Sequence, residues 1–246
     1  MIFEILTLFP ESLTGILQSS ILKRAQAFGV IQCNVRNIRD FATDKHKSAD
    51  DAPYGGGPGM VMKAEPLAGA LRAALDANTG LDMAVVYLSP QGAQWKQPMA
   101  ESYAKRDGLI LICGHYEGID ERIIQEFQAE EISIGDYVLT GGELPALVII
   151  DSLTRLQQGA LHNEASALHD SFGAHGLLDH PHYTRPETFE GIKVPDILLS
   201  GNHAAVDKWR RERALEKTWR NRPDLLQNAK LTDRDLAFLK TLNSQL

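Results

Sequence analysis

Apolar residues along the chain fall into short continuous runs separated by stretches of helical period, and this alternation predicts a layered α/β fold. Residues 2–8 (I-F-E-I-L-T-L) read as a buried strand. Leu13, Ile16, Leu17, Ile21, Leu22 and Ala25 then recur at helical spacing, which predicts an amphipathic helix stopped by Gly29. Ile31, Cys33 and Val35 alternate like a half-exposed strand. A charged loop follows from Arg39 to Asp51 and runs into the glycine cluster Tyr54-Gly55-Gly56-Gly57-Pro58-Gly59. Beyond it the spacing predicts helix 65–78, strand 83–88, helix 98–106, strand 109–113, helix 120–128, strand 131–134 and helix 143–157. Strands alternating with helices of this length predict a parallel sheet covered on both faces.

The periodicity fails after Gly159. Residues 160–191 mix histidines, prolines and turn formers and read as a long linker or active-site loop. From Gly201 the pattern is helical again, with Ser200 or Asn202 as N-cap and Pro223 as a stop. A last helix starts near Thr232-Asp233 and buries Leu236, Leu239 and Leu242. The predicted organisation is an α/β ligand-binding domain over 1–159, an interdomain loop over 160–175 and a small helical domain over 176–246. Little in 160–175 can pack, so that loop is expected to be mobile without ligand.

Composition narrows the picture. A chain of 246 residues has room for one large or two modest domains. Cys33 and Cys113 sit in apolar strand patterns and read as small buried hydrophobes. With no Cys-x-x-Cys pair, no leader pattern and no apolar run of membrane length, the expected location is the cytoplasm, away from membranes. The net charge of −7 argues against a polyanionic partner, but its distribution argues the other way. From His203 to Arg222 the segment carries +4, leaving about −11 on the remainder. Arg210, Arg213, Lys217 and Arg220 fall at three- and four-residue steps on one helix face, which predicts a phosphate-backbone contact rather than a merely solvated face.

The candidate chemistry lies in strand-end loops. Ser89-Pro90-Gln91-Gly92, Gly114-His115-Tyr116-Glu117-Gly118 and Ile132 to Pro145 (I-S-I-G-D-Y-V-L-T-G-G-E-L-P) each follow an apolar run. Loops at the carboxyl ends of strands are where open α/β sheets bind small molecules. Glycines there let a flat ligand approach main-chain groups. Glu117 is suited to hydrogen-bonding a base edge or a ribose. Arg155 sits where a helix C-terminus favours a cation, and the same position would suit a donor to a developing oxyanion. The Gly55–Gly59 cluster lacks the Gly-Lys-Ser/Thr ending of a P-loop and reads equally as a surface turn or a ligand loop. His162, His169, His175, His180 and His182 lack coherent metal-ligand spacing, so no metal site is predicted.

These strings together resemble the bacterial tRNA (guanine-N(1)-)-methyltransferases of the knotted SPOUT class. The resemblance runs through L-T-L-F-P at 6–10, Y-G-G-G-P-G-M at 54–60, L-S-P-Q-G at 88–92 and G-H-Y-E-G-I-D-E-R at 114–122. It continues through 132–145, G-L-L-D-x-P-x-Y-T-R-P at 176–186 and T-W-R-N-R-P-D-L-L at 218–226. It implies a parallel-sheet domain threaded as a deep trefoil knot, plus a small all-α C-terminal domain. It also implies S-adenosylmethionine as cofactor, with Mg2+ as an additional ion for which no carboxylate cage is legible. The implied cofactor residues are Leu88, Ser89, Pro90, Gly114, Tyr116, Glu117, Ile134, Gly135, Asp136, Tyr137, Val138, Leu139, Gly141, Gly142 and Pro145. The implied reaction is methylation of N1 of guanosine 37, on the 3′ side of the tRNA anticodon, in a homodimer with shared active sites. Asp170 is implied as general base and Arg155 as donor to O6. Glu117 is expected to bind the preceding guanine, and Asp179, Arg185, Arg210, Arg213, Lys217 and Arg220 to contact tRNA. One departure stands out: the spacer Gly173-Ala174-His175 is a residue longer than the family pattern. Ribose 2′-O-methylation on the same scaffold, and RNA binding without catalysis, remain as competing readings.

Overall fold

The computed structural model describes residues 1–161 and 170–243, which fall into two compact units, Met1–His162 and Asn163–Leu246. The part of the predicted interdomain loop from 162 to 169, with its expected mobility and with His162 and His169, lies outside the described residues.

The first unit is built on a five-stranded parallel sheet with strand order β2-β1-β6-β5-β7. Its strands are β1 (Ile2–Thr7), β2 (Gln32–Asn37), β5 (Met83–Gln94), β6 (Gly108–Cys113) and β7 (Glu130–Ser133). Because side chains alternate across a strand, each strand feeds two cores. Phe3, Ile5, Leu109, Leu111 and Val86 pack with α1 (Glu11–Leu17), α2 (Ser20–Ala27), α4 (Gln97–Tyr103) and α6 (Glu143–Thr154). Leu6, Ile110, Ile112 and Tyr87 pack on the opposite face with α3 (Ala64–Ala77) and α5 (Glu121–Phe127). Glu4 is the exception on β1, a buried carboxylate. It accepts hydrogen bonds from Asn34 (2.7 Å), Arg36 (2.6 Å) and Asn78 (3.0 Å), so its burial leaves no unsatisfied charge.

Three local features depart from the periodicity. The stretch from Leu13 to Ala25 forms two helices, because the Ser19 amide and hydroxyl both turn back to the Ile16 carbonyl (3.0 and 2.8 Å) and end the first. Ile16 is consequently exposed. The predicted loop 89–92 is a bulge inside β5. Pairing with β7 is broken after Leu88, opposite Ile132, and resumes at Ala93 opposite the same residue. Gly92 sits in this bulge, where a Cβ would lie 2.3 Å from the Ile132 nitrogen. The Arg39–Asp51 loop contains a 3-10 turn (Ile38–Phe41) and ends in β3 (Asp50–Asp51), which pairs with β4 (Val61–Met62). Cys113 is buried and Cys33 partly so; burial pushes the Cys33 thiol up to about 12, consistent with an apolar role for both.

The second unit has a small core of Leu177, Leu215, Leu239 and Leu242 between α7 (His203–Asn221) and α8 (Asp233–Asn243). Asn202 caps α7, its Oδ1 accepting the Ala205 amide at 3.2 Å, and α7 ends before Pro223 as expected. Leu236, expected in the core, is exposed; Leu239 and Leu242 occupy the buried face. The all-α expectation also needs correction, because β8 (Thr188–Phe189) and β9 (Ile192–Lys193) form an antiparallel hairpin. Glu190 and Gly191 both take positive φ at its turn, as a tight two-residue hairpin requires. Strands of two residues are too short to show a period.

At the start of α8, Thr232 and Asp235 form a reciprocal cap. The Asp235 carboxylate accepts the Thr232 amide (2.8 Å), and the Asp235 amide donates to the Thr232 hydroxyl (3.3 Å). The same buried carboxylate receives Arg211 at 2.9 and 3.2 Å. Burial alone would raise the Asp235 carboxyl, but Arg211 and Thr232 outweigh it and hold it below the ordinary value. A group depressed in this way stabilises the fold above its unfolded pKa of about 4, and that stability is lost as pH falls through the folded value. Asp235→Asn is expected to cost about 1.5–3 kcal/mol at pH 7. In urea unfolding followed by tryptophan fluorescence, its difference from the unsubstituted protein should shrink as pH drops below about 4.

Candidate functional site

The bulge in β5 and the loops after β6 and β7 close around a cavity of about 220 Å³ in the first unit. Leu88, Ser89, Pro90, Gly114, Tyr116, Glu117, Ile134, Gly135, Tyr137, Val138, Leu139, Gly141 and Pro145 line it, so most of the residues singled out from the sequence converge on one place. Asp136 is exposed and Gly142 is buried, and neither lines the cavity. Tyr87, Gln91, His115 and Thr140 also line it without having been singled out. The Tyr87 ring packs under Gly114, and its hydroxyl is pushed up by burial and then by the charge of Glu131.

Close backbone approach makes the cavity. The loops after β6 and β7 meet through a bridge between His115 and Gly141, and the Gly142 amide donates to the Gly114 carbonyl at 3.0 Å. A Cβ at Gly142 would lie 2.6 Å from the Cys113 Cα, and one at Gly114 would lie 2.7 Å from the Tyr87 ring. At Gly141 a Cβ would strike the His115 ring and the Glu143 carboxylate. These three positions need glycine for lack of space.

Beneath the meeting point lies a buried polar chain that sequence reasoning missed. The Thr7 hydroxyl donates to Glu143 Oε1 at 2.5 Å, and His115 Nε2 lies 2.8 Å from Glu143 Oε2. Thr7 in turn accepts the Phe9 amide at 2.9 Å. One carboxylate at the start of α6 thereby ties the end of β1 to the loop after β6. His115 and Glu143 were visible inside quoted strings. Thr7 lies in the quoted L-T-L-F-P as well, but nothing there links it to a partner 136 residues away.

The glycine cluster at 55–59 has a definite place. The Glu117 amide donates to the Met60 carbonyl (2.9 Å), and the Met62 amide donates to the Gly118 carbonyl (2.9 Å). A Cβ at Gly59 would lie 2.4 Å from Glu117 Oε1. Glu117 itself is exposed, and Tyr116 is held at positive φ with its hydroxyl donating to Asp50 at 3.2 Å. Arg122 pairs with Asp120 rather than Glu121 (2.6 Å). Arg155 follows directly on α6, its amide donating to the Asp151 carbonyl at 3.1 Å.

In the second unit, Asp170 lines a broad groove together with Asp179, His180, Arg210 and Arg211. Its carboxylate accepts the Ser171 amide at 2.9 Å. Asp179 is anchored by its amide, which donates to Ser171 Oγ at 3.0 Å, and it faces His182 Nε2 at 2.7 Å. Burial raises the Asp179 carboxyl, but the bonds from His182 and the His180 amide outweigh it and bring it below the ordinary value. Arg185 is exposed. Of the predicted basic face on α7, Arg210, Lys217 and Arg220 are exposed, while Arg213 lies over the Phe238 ring at 5.9 Å and pairs with Glu216. Arg210 pairs with Asp207 (3.4 Å) and Arg220 with Glu216 (2.7 Å), so acids on the same helix share the face.

Comparison with known proteins gives a consistent result. The family model described as tRNA (Guanine-1)-methyltransferase TrmD matches residues 1–228. A tRNA (guanine-N(1)-)-methyltransferase of Moorella thermoacetica is 53% identical over 240 residues, covering 98% of this chain and 96% of the relative. The enzyme of the same name from Alkaliphilus oremlandii is 49% identical with both chains fully covered. That from Geobacillus kaustophilus is 52% identical over 96% of each chain.

Thr7→Val removes the donor to a buried carboxylate and is expected to destabilise the protein by about 1–3 kcal/mol. Gly142→Ala forces backbone apart and should cost a similar ~1–3 kcal/mol by overpacking. Thermal melts of the two variants, both at or above the unsubstituted melting temperature, would contradict this account of the cavity.

Proposed function

The chain belongs to the tRNA (guanine-1)-methyltransferase family, and from that premise we propose that it methylates N1 of guanosine 37 in tRNA, with S-adenosylmethionine as donor. The observation that carries the reading is the cavity made by the β5 bulge and the two loops after β6 and β7, with Gly114 and Gly141 in its wall and Gly142 directly behind. It suits an adenosyl group: main-chain donors and acceptors are approachable where no Cβ fits, and Leu88, Ile134, Leu139 and Pro145 offer apolar faces to a purine. When bound, S-adenosylmethionine supplies an electrophilic sulfonium methyl.

The protein's own residues must solve a proton problem. Guanine N1 is protonated at neutral pH, so its lone pair is unavailable until a base removes the proton and charge moves onto O6. Asp170 is the proposed base. Arg155 is the proposed donor to O6, since a permanently charged guanidinium matches a developing oxyanion. Glu117, exposed at the cavity rim, is assigned to the preceding guanine, and Asp179, Arg185, Arg210, Arg213, Lys217 and Arg220 to the tRNA. The exposed groups on α7 support this assignment, because weak surface pairs exchange readily for phosphates.

The proposal includes a homodimer with shared sites and a knotted thread after β7. Exposed Val138, Leu144 and Val148 support the first, as an apolar strip on the cavity loop and one face of α6. The return of the 134–142 segment onto Gly114 and His115 supports the second. Among the described residues no helix is long and apolar enough to cross a membrane, in keeping with the proposed cytoplasmic site of action. Magnesium is not given a step. The three-donor group among the described residues contains two imidazoles, a poor match for an ion that prefers oxygen ligands.

Asp170→Ala is expected to slow single-turnover methylation of an unmodified tRNA transcript by ~10²–10⁴-fold. Calorimetry should show S-adenosylmethionine binding unchanged in that variant. Near-normal turnover would remove Asp170 as base, and mass spectrometry placing the methyl on a ribose oxygen would overturn the reaction itself.

A further inference from the structure

Histidine spacing alone argued against a metal, but the fold of residues 179–182 gathers donors that the spacing does not reveal. One ligand atom each from Asp179, His180 and His182 lies within 4.8 Å of the other two. Asp179 Oδ2 is 2.7 Å from His182 Nε2, and Asp179 Oδ1 is 3.8 Å from His180 Nε2. Bonds from zinc to nitrogen or oxygen are about 2.0–2.2 Å, so neighbouring ligands in a tetrahedron stand about 3.4 Å apart. The two observed separations run from different oxygens of one carboxylate, and the shorter is a direct hydrogen bond that a bound ion would replace.

The histidine tautomer points the same way. His180 Nδ1 lies 3.1 Å from the Pro181 carbonyl, which can only accept, so Nδ1 carries the proton. In the neutral imidazole the Nε2 lone pair then faces Asp179, the form in which histidine binds a metal ion. A backbone carbonyl on the far ring nitrogen is also the usual outer partner of a metal-bound histidine. The carboxylate is held in place: its Oδ1 accepts the His180 amide at 2.7 Å, and the Asp179 amide is fixed by Ser171. One residue earlier, the Leu178 amide donates to Thr218 Oγ1 of α7 at 2.9 Å, which ties the segment to the helical core.

We propose that Asp179, His180 and His182 form a binding site for a divalent transition-metal ion of the zinc type, through one carboxylate oxygen and two imidazole nitrogens. His182 is exposed, so solvent or a substrate oxygen can complete the coordination. Imidazole with carboxylate suits Zn2+, Co2+ or Ni2+ and disfavours Mg2+. The site needs neither tRNA nor a methyl donor, and it stands or falls independently of the proposed reaction.

The test uses the full chain stripped of metal by a chelator. Calorimetric titration with Zn2+ is expected to show one saturable site per chain, and Co2+ should give the visible absorption of a low-coordinate ion. Paramagnetic Ni2+ should quench Trp209, whose ring lies 6.5 Å from that of His180, and the quenching should disappear in Trp209→Phe. His182→Ala and His180→Ala should each weaken binding by about tenfold or more. The melting temperature of His182→Ala without metal should stay close to that of the unsubstituted protein, because that side chain is exposed. Absence of saturable Zn2+ binding, or undiminished binding in the double variant His180→Ala, His182→Ala, would overturn the proposal.

Discussion

Main-chain contact between the loops after β6 and β7 is the constraint on which the first unit's site depends. Gly142 reaches Gly114, and Gly141 lies against His115, at separations that leave no room for a Cβ. Such contact would be soft if it rested on loop backbone alone. The Glu143 carboxylate stiffens it from below, joining the end of β1 through Thr7 to the loop after β6 through His115. A buried carboxylate with two partners is costly to disturb, since removing either leaves the other unsatisfied. The cavity is thus a product of three chain segments held at one point.

The second unit divides its charges between two tasks. Arg211 with Asp235 is buried against the start of α8 and holds that helix in place. Other pairs on and after α7, such as Lys208 with Glu212 and Arg222 with Asp224, lie at the surface. Exposed pairs of this kind are worth only about 0–1 kcal/mol each, so a polyanion can replace them at little cost. A chain of net charge −7 can therefore present the exchangeable basic helix proposed to face RNA while its fold relies on a different arginine.

Much of the layered fold was legible because its signals are local. Short apolar runs in β1 and β6 and helical spacing in α3 and α6 each show within a short window. The residues singled out in the glycine-bearing strings line one cavity, apart from Asp136, which faces solvent, and Gly142, which supports the wall from behind. Departures came where a local competitor was overlooked or an element was too short. Ser19 ended α1 by bonding back to Ile16, β5 carried a bulge across Pro90, and the β8–β9 hairpin had two residues per strand.

What the sequence by itself determined was the order and type of the main elements, the glycine-bearing strings between them, and the basic stretch in an acidic chain. Each follows from sterics, periodicity or charge within a short window. Only the tertiary structure decided that Thr7 meets Glu143, that Met60 meets Glu117, that Arg213 turns toward Phe238, and that Asp179, His180 and His182 share one point. Those contacts depend on chain crossings and on loop backbone that bends side chains together. No residue pattern along the chain encodes the distance between groups that folding, rather than sequence proximity, makes neighbours.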